Sequence, residues 1–301
     1  MPGSRHLRDL TMARFLFWSD LHLEFRDFDI PSPSDVDGEI DAILIAGDTD
    51  VKGRHLDFAA AVWEIWRRPV LMIQGNHEGY GAKRLQKIWE LEDRRIPEMR
   101  AGGADIEMLR GSSRIIGDTR VIGATFWTDL QLYPDRMTGA AFAVRDTLND
   151  YKCVRFLDER RGIYRKLQPM DTRQMHQEQK RQIFNELATP FEGRTVVMTH
   201  HLPVVQMLHP DRRMKGDLVS ASYVSDLAHE ISGFQVDAWI AGHSHDAVEY
   251  LLQGGNGDIR FMRNIRGYPH EKTDFDPLRV LDSNAPCLRD EFDPEAPRHE
   301  P

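Results

Sequence analysis

Ile43-Leu44-Ile45-Ala46-Gly47-Asp48-Thr49-Asp50 is an apolar run that ends abruptly in a glycine and a carboxylate. The run begins at Ala42 and is short and uninterrupted, as expected for a parallel strand that is covered on both faces. Gly47 allows the backbone to pass close to other groups. In open α/β sheets, ligands bind at the carboxyl ends of the strands. The stretch therefore predicts a buried strand that delivers Asp48 to the ligand-binding edge of a sheet.

Four other strand-like runs also end in residues that commonly bind metals. They are Phe15–Trp18 before Ser19-Asp20-Leu21-His22, Val70–Ile73 before Gln74-Gly75-Asn76-His77-Glu78, 195–198 before Thr199-His200-His201, and Ala238–Ile240 before Ala241-Gly242-His243-Ser244-His245. Asp20 and His22 are two residues apart, as are His243 and His245. An extended backbone therefore points both side chains of each pair to the same side. Each pair can chelate one metal ion.

The amino-acid composition limits the classes to which the protein can belong. The 301 residues are 41% apolar and 29% charged, which suits one large core. A net charge of -9 argues against a broad nucleic-acid-binding surface. Cys153 and Cys287 are far apart, which disfavours a disulfide framework and a thiolate zinc site. No apolar run is long enough for a signal peptide or a membrane span, so we expect a cytoplasmic protein without a membrane partner. Because of the net charge, we also expect no nucleic-acid partner.

The order of helical and strand-like segments predicts two sheets. Residues 56–67 and 81–94 have helical spacing and lie between strands, and this β-loop-α repetition is typical of a parallel sheet. Short β-like runs at 106–109, 114–116 and 120–125 then follow one another without a long helix. We interpret these three runs as the entry into a second sheet.

The second half of the chain contains a predicted insert and a predicted hairpin. Residues 130–190 are mostly polar with a helical pattern, and Asp171 or Thr172 is a suitable N-cap, so this insert is expected to cover the site as a helical cap. Residues 248–252 and 259–263 predict a hairpin around a glycine-rich turn. The expected organisation is one domain with two flexible tails. Its bounds are 12–282 for the domain and 1–11 and 283–301 for the tails.

The strand-end motifs, taken together and in this order, resemble the calcineurin-like metallophosphoesterase superfamily, and in particular its small bacterial members of unassigned substrate. The resemblance implies an α/β fold in which two packed β-sheets are flanked by helices, an α/β/β/α sandwich. It also implies two metal ions that share one bridging carboxylate. The implied ligands are Asp20, His22, Asp48 and His245 for the first ion, and Asp48, Asn76, His200 and His243 for the second.

The chemistry of this ligand set narrows the choice of metal. Imidazole, carboxylate and amide ligands suit transition metals better than Ca²⁺ or Mg²⁺. For the two divalent or trivalent ions that the resemblance implies, we therefore expect Mn²⁺ and/or Fe first, with Zn²⁺, Co²⁺ or Ni²⁺ as alternatives. Two such ions roughly 3.5 to 4 Å apart can clamp the attacking and leaving oxygens of an in-line displacement and can acidify a shared water.

The expected function is hydrolysis of a small phosphoester by a hydroxide that bridges the two ions. Phosphodiesters are the first choice of substrate, and phosphomonoesters or nucleotides are the alternative. A non-catalytic scaffold on the same fold is a rival interpretation, but it would be expected to have lost ligands that this chain retains. A nuclease would need a basic, aromatic-lined groove, which the composition does not indicate.

His77 is the expected general acid. It follows the ligand Asn76, so its side chain points away from that ligand in an extended loop. The resemblance implies that it faces the substrate and protonates the leaving oxygen, a task that suits a histidine. Asp50 is a candidate to orient His77, although related protein phosphatases place the orienting aspartate three residues after the bridging one, where this chain has Val51.

Further candidates lie elsewhere in the chain. His201 and Arg266 either contact substrate phosphate or serve as a supporting histidine and a surface arginine. In the predicted cap, Asn149-Asp150-Tyr151 and His176 either set specificity or act as helix caps and solvated residues.

Overall fold

The computed structural model describes residues 12–282 and residue 285. Apart from residue 285, the predicted flexible tails lie outside the described residues, and so does Cys287. The strands, in chain order, are β1 Phe15–Trp18, β2 Ala42–Ala46, β3 Val70–Ile73, β4 Ile106–Met108, β5 Ser112–Ile116, β6 Thr119–Ala124, β7 Arg155–Asp158, β8 Ile163–Lys166, β9 Arg194–Thr199, β10 Ala238–Ile240, β11 Tyr250–Leu252, β12 Ile259–Met262 and β13 Val280–Leu281. The α-helices are α1 His55–Trp66, α2 Leu85–Ala101, α3 Met137–Thr147, α4 Asp150–Cys153, α5 Pro169–Ala188, α6 Pro210–Lys215 and α7 Ala228–Ile231.

Two large sheets form the centre of the fold. The first has the strand order β13-β1-β2-β3-β4, in which β1 to β4 are parallel and β13 is antiparallel to β1. The second has the order β11-β12-β10-β9-β6-β5, in which the four inner strands are parallel and both edge strands are antiparallel. The predicted architecture of two sheets flanked by helices is confirmed.

Each sheet buries both of its faces. Phe17, Leu44 and Val196 belong to a core cluster that joins the two sheets. The alternate residues Ile43 and Ile45 lie on the other face of the first sheet, in a cluster with α1. Because successive side chains of a strand point to opposite faces, burial of both faces requires the uninterrupted apolar runs that the sequence shows.

The structure corrects three predictions about the middle of the chain. Residues 106–108 pair with β3 in the first sheet, whereas the second sheet begins at β5, because α2 returns the chain to form one more parallel strand. The predicted helical insert also contains an antiparallel hairpin, β7–β8. Helix α5 begins at Pro169 and is capped by Gln168, so neither Asp171 nor Thr172 is the N-cap. The Asp171 carboxylate instead completes a capping box with the Gln168 backbone.

The final hairpin is found as predicted, between β11 and β12. Strand β13 was not predicted, because two residues carry no periodic pattern.

Among the described residues, no helix combines the length and the apolar character needed to cross a membrane.

Candidate metal centre

The loops that follow β1, β2, β3, β9 and β10 converge at one end of the sandwich. Parallel strands place their carboxyl ends at the same edge, so five loops far apart in the sequence reach one site. The structure brings together all seven of the predicted metal ligands. They are Asp20, His22, Asp48, Asn76, His200, His243 and His245.

Four of these ligands have a left-handed backbone conformation. The φ angles are 53° at Asp20, 47° at His22, 51° at Asp48 and 67° at His243. Aspartate and histidine tolerate this conformation better than most non-glycine residues, and such residues cluster at functional sites. Each turn bends the chain sharply after its strand and aims the side chain at the common centre.

Gly75 allows the ends of β2 and β3 to approach closely. A Cβ atom at this position would lie 2.1 Å from Asp48 Oδ1 and 2.7 Å from His200 Cε1. Real Cβ atoms do not approach other atoms so closely, so any other residue would displace Asp48 or His200. The glycine before Asn76 is therefore required by the geometry of the site.

One group of donor atoms surrounds Asp20. His22 Nε2 lies 3.1 Å from His245 Nε2, and His245 Nε2 lies 3.4 Å from Asp20 Oδ1. Asp48 Oδ2 lies 3.9 Å from His22 Nε2. Two imidazole nitrogens and two carboxylates thus face the same small volume, which is a donor set typical of transition-metal sites.

A second group lies on the other side of Asp48. His200 Nε2 is 3.3 Å from Asp48 Oδ1 and 3.0 Å from Asn76 Oδ1. His243 belongs to the same group, and its Nε2 is buried without a hydrogen-bond partner in the part of the chain that the structure describes. A buried imidazole nitrogen of this kind is expected to bind a metal. Since the two Asp48 oxygens face different groups, the donors fit two ions bridged by this carboxylate.

Neighbouring groups fix the orientation of the ligands. His200 Nδ1 donates to the Ala46 carbonyl at 2.9 Å, which leaves Nε2 free to bind a metal. Asn76 Nδ2 donates to Asp150 Oδ1 at 2.9 Å, which turns the amide oxygen of Asn76 toward His200. His245 Nδ1 lies 2.5 Å from Glu271 Oε2. Such outer hydrogen bonds set the tautomer and the basicity of metal ligands.

Sequence reasoning missed Glu271 altogether and left Asp150 undecided. Burial raises the pKa of Asp150, while its hydrogen bonds with Tyr80 and Asn76 oppose this effect. Asp150 is the first residue of α4, so the predicted cap does reach the site through this carboxylate. His176, by contrast, is buried against Phe126, and its Nδ1 bonds to the Trp127 carbonyl.

Glu78 joins the loops after β2 and β3. Its carboxylate accepts hydrogen bonds from the backbone N–H groups of Gly75 at 2.7 Å, Asp48 at 3.2 Å and Thr49 at 2.8 Å. The side chain is fully buried, and burial together with the Asp48 charge raises the pKa of Glu78 to about 7. Glu78 therefore fixes the turn that carries Asp48, the predicted bridging ligand.

His77 lies beside the predicted metal ligands, and Glu24 holds it in place. Its backbone N–H donates to Asp48 Oδ1 at 2.8 Å, and its Nδ1 donates to Glu24 Oε1 at 2.6 Å. Its Nε2 is therefore the ring nitrogen that faces the site, 3.2 Å from the Tyr268 hydroxyl. The ring stacks on Tyr80 with 4.2 Å between the centroids.

Charges around His77 favour its protonated form. Burial alone would lower the pKa of His77, but the carboxylates of Asp48 and Glu24 outweigh this effect and raise it to about 9. Burial similarly tends to raise the pKa of Glu24, but its hydrogen bonds with His22 and His77 lower it to about 2. A protonated imidazole next to an ionised carboxylate is suited to donate a proton.

The assignment of Asp50 as the residue that orients His77 is wrong. Asp50 accepts hydrogen bonds from Arg54 Nε at 2.9 Å and from the Val51 backbone N–H at 2.7 Å. It thus points toward the start of α1, away from His77. Glu24, two residues after His22, orients His77 in place of Asp50.

His201 and Arg266 do not face the site as substrate contacts. His201 is buried, its ring lies 4.1 Å from the His243 ring, and burial together with His200 lowers its pKa to about 3. Arg266 donates to the carbonyls of Leu21 and Arg26 at 2.8 and 2.9 Å. Neither residue lines the cleft over the donor atoms, so both take the supporting role that the sequence left open as the alternative.

A cleft of about 190 Å³ opens over the donor atoms. Tyr80, Tyr223 and Tyr268 form part of its wall, together with Asn149 from the predicted cap. Arg212 also lines the cleft, but its Nε donates to Asp246 Oδ2 at 2.6 Å, and its guanidinium lies 4.7 Å from the Tyr223 ring centroid. The cleft combines an acidic, histidine-rich floor with aromatic walls.

Comparison with known proteins agrees with this geometry. Residues 13–247 match the family model described as calcineurin-like phosphoesterase. No curated protein matches the chain. Among solved structures, a phosphopantetheinyl hydrolase from Mycobacterium tuberculosis is 14% identical, with a TM-score of 0.60 over 90% of this chain and 96% of that chain.

Two further structures are more distant. A dimetal phosphatase from Danio rerio is 14% identical, with a TM-score of 0.39 over 84% of this chain and 88% of that chain. A sulfate thiohydrolase from Thermus thermophilus is 13% identical, with a TM-score of 0.35 over 85% of this chain and 52% of that chain. At these identities, the similarity to solved structures concerns the fold alone.

Proposed function

Since this chain belongs to the calcineurin-like phosphoesterase family and is a metal-dependent phosphoester hydrolase, we propose that it hydrolyses small phosphodiesters in the cleft over Asp48. The observation that carries this proposal is the pair of donor groups on either side of Asp48, with His77 beside them. The proposed ligands are those implied by the sequence. They are Asp20, His22, Asp48 and His245 for one ion, and Asp48, Asn76, His200 and His243 for the other.

Two bound ions would supply positive charge to stabilise the phosphorane oxygens and would lower the pKa of a water molecule. The protein side chains have separate tasks. Glu24 holds His77 through Nδ1, so a proton on Nε2 is directed toward the cleft. In the proposed reaction, His77 Nε2 gives this proton to the departing oxygen, and the neighbouring Tyr268 hydroxyl helps to fix the ring.

The residues that line the cleft favour a diester substrate over a monoester. Of the described residues that line the cleft, Arg212 is the only arginine or lysine, and Asp246 already engages it. A monoester dianion would call for more cationic contacts than a diester, which carries a single negative charge. Tyr80, Tyr223 and Tyr268 offer apolar faces to the second organic group of a diester.

A substrate panel with defined metals tests this proposal. Metal-depleted protein would be reconstituted with Mn²⁺, Fe²⁺, Zn²⁺, Mg²⁺ or Ca²⁺ and assayed on matched mono- and diesters. We expect the chelated protein to be inactive, Mn²⁺ to restore more activity than Ca²⁺, and the diesters to have the higher kcat/KM. The nitrogen ligands are the reason for the metal order. A higher kcat/KM for monoesters would overturn the diester assignment, and equal rescue by Ca²⁺ would contradict the histidine-rich site.

Glu24→Gln is expected to change the pH dependence of the reaction. His77 must be protonated to act as an acid, so activity falls as the pH rises through its pKa. Removing the Glu24 charge lowers the pKa of His77. The alkaline limb of the pH profile of kcat should therefore move to lower pH by about 1 to 3 units. Asp50→Asn is the matched control, because Asp50 bonds to Arg54 and should leave the limb unchanged. A limb that moves equally in both variants would exclude Glu24 from this role.

A further inference from the structure

The predicted cap carries one buried carboxylate into the cleft over the donor atoms. Asp150 is the first residue of α4, it is buried, and it lines the cleft. The sequence left open whether Asp150 sets specificity or caps a helix. Asn149 is the N-cap of α4, so Asp150 does not serve as that cap. Burying a carboxylate is costly unless hydrogen bonds stabilise it, so the partners of Asp150 indicate what it does.

Two residues that follow β3 donate to the same Asp150 oxygen. Asn76 Nδ2 lies 2.9 Å from Asp150 Oδ1, and the Tyr80 hydroxyl lies 2.5 Å from it. Asn76 is a proposed ligand of the second ion, and the Tyr80 ring stacks on His77 with 4.2 Å between the centroids. The carboxylate from the insert therefore bonds to the metal centre, although 74 positions separate Asp150 from Asn76 in the sequence.

The bond to Asp150 decides which end of the Asn76 amide faces the second ion. The two ends of an amide have nearly the same shape, but only the oxygen can bind a cation. Asn76 Oδ1 lies 3.0 Å from His200 Nε2, which belongs to another proposed ligand of the second ion. A reversed amide would turn its N–H hydrogens toward this position and would place its oxygen against the Asp150 carboxylate, where two acceptors repel each other. Asp150 therefore favours the amide orientation that can bind metal.

Packing within the insert fixes the position of Asp150. The next residue, Tyr151, is buried, and its hydroxyl lies 3.0 Å from Thr172 Oγ1 on α5. Tyr151 also belongs to a core cluster with Val144 of α3 and with Leu167, which precedes α5. Because a helix of four residues is not stable alone, α4 depends on contacts of this kind. The orientation of the amide ligand thus depends on how the insert packs.

We propose that Asp150 is a positioning residue for the second ion, and that it couples binding of this ion to the packing of α4. The inference rests on the two-ion site of the proposed function. Without Asp150, the second ion should bind more weakly, because the Asn76 amide is then free to reverse. The first ion should be unaffected, because Asp150 bonds to Asn76 and Tyr80. Coupling is reciprocal, so the bound second ion should in turn stabilise α4.

Binding of Mn²⁺ to the metal-depleted full chain tests the positioning role. Calorimetry and elemental analysis would compare wild type with Asp150→Ala, and circular dichroism would check the fold. We expect two ions in wild type, and one of them should bind about 10- to 100-fold more weakly in Asp150→Ala. Asp150→Asn keeps an acceptor oxygen and should lose less affinity. Asp146→Ala is the matched control, because Asp146 is an exposed residue of α3 whose carboxylate bonds to Arg145.

Two ligand variants identify which ion is weakened. His243→Ala removes a ligand of the second ion and should retain the first, whereas His245→Ala should retain the second. Adding Asp150→Ala to His245→Ala should weaken binding of the remaining ion about 10- to 100-fold. Adding Asp150→Ala to His243→Ala should leave the affinity for the remaining ion unchanged. A purely structural role of Asp150 would weaken both ions alike.

Hydrogen exchange tests the reciprocal effect on α4. The backbone N–H groups of Cys153 and Val154 donate to the carbonyls of Asn149 and Asp150 at 2.7 and 3.1 Å, so their exchange reports the opening of this turn. Saturation with Mn²⁺ should slow this exchange about 10- to 100-fold in wild type, because the coupling has the same size in both directions. In Asp150→Ala, Mn²⁺ should slow the exchange much less.

Four outcomes would overturn the inference. The first is a second ion that keeps its wild-type affinity in Asp150→Ala, and the second is an equal loss of affinity in Asp146→Ala. Equal loss in Asp150→Ala and Asp150→Asn would contradict the assigned acceptor. Exchange in α4 that Mn²⁺ slows equally in wild type and Asp150→Ala, or does not slow in wild type, would exclude the coupling. Wild type that binds fewer than two ions would instead overturn the proposed two-ion site, and this inference with it.

Discussion

Replacing His77 with alanine is expected to slow the hydrolysis of alkyl phosphodiesters by a factor on the order of 10² to 10⁴. Both metal ions should remain bound, because the His77 side chain belongs to neither proposed ligand set. A nitrophenolate leaves without needing a proton, so the same variant should lose much less rate on a nitrophenyl diester. The measurement compares kcat on the two substrates, with the metal content determined in parallel.

The control for this experiment is His229→Ala, which removes an exposed histidine on α7, outside the proposed site. This variant should keep wild-type rates on both substrates. An equal loss of rate on both substrates in His77→Ala would assign His77 to stabilising the phosphorane oxygens instead of donating the proton. Loss of metal from His77→Ala would indicate that His77 helps to hold the ions.

Asp48→Asn is expected to abolish most activity and to release at least one equivalent of metal. Both Asp48 oxygens face donor groups, so the substitution weakens both proposed coordination shells at once. The Asp48 backbone N–H donates to Glu78 in the folded chain, and this bond does not depend on the side-chain charge. The fold should therefore persist, which circular dichroism and elemental analysis of the purified variant would check together.

Asp50→Asn is a matched comparison for Asp48→Asn. Asp50 is two residues away and bonds to Arg54 and Val51, so its substitution should leave the metal content and the rate unchanged. Two bound ions and full activity in Asp48→Asn would contradict a bridging role for Asp48. Equal metal loss in both variants would attribute the effect to a disturbed loop.

The sequence predicted the residues at strand ends better than those that support them. Asp20, Asn76 and His243 each follow an apolar strand, and parallel strands place such residues at one edge by geometry alone. Glu24 and Glu271 lie in loops without a periodic pattern, and their partners are fixed only by tertiary contacts. Supporting residues of this kind leave little trace in a single sequence.

The error at Asp50 has a similar cause. Asp50 is close to Asp48 in sequence, but the left-handed turn at Asp48 redirects the chain, and Asp50 meets Arg54 at the start of α1. The β7–β8 hairpin was missed for another reason. Its strands mix charged and apolar residues and none of these residues is fully buried, so they lack the alternation that marks a half-buried strand.

The pairing of β13 with β1 has a consequence for biosynthesis. Phe15 lies opposite Leu281, so the strand that leads to Asp20 acquires its outer neighbour only when nearly all of the described chain has left the ribosome. Until then β1 is an open edge, with backbone groups that can pair with another nascent chain. Contacts of such high sequence separation also form slowly. We therefore expect the donor group around Asp20, which also needs His245, to be among the last parts of the molecule to assemble during translation.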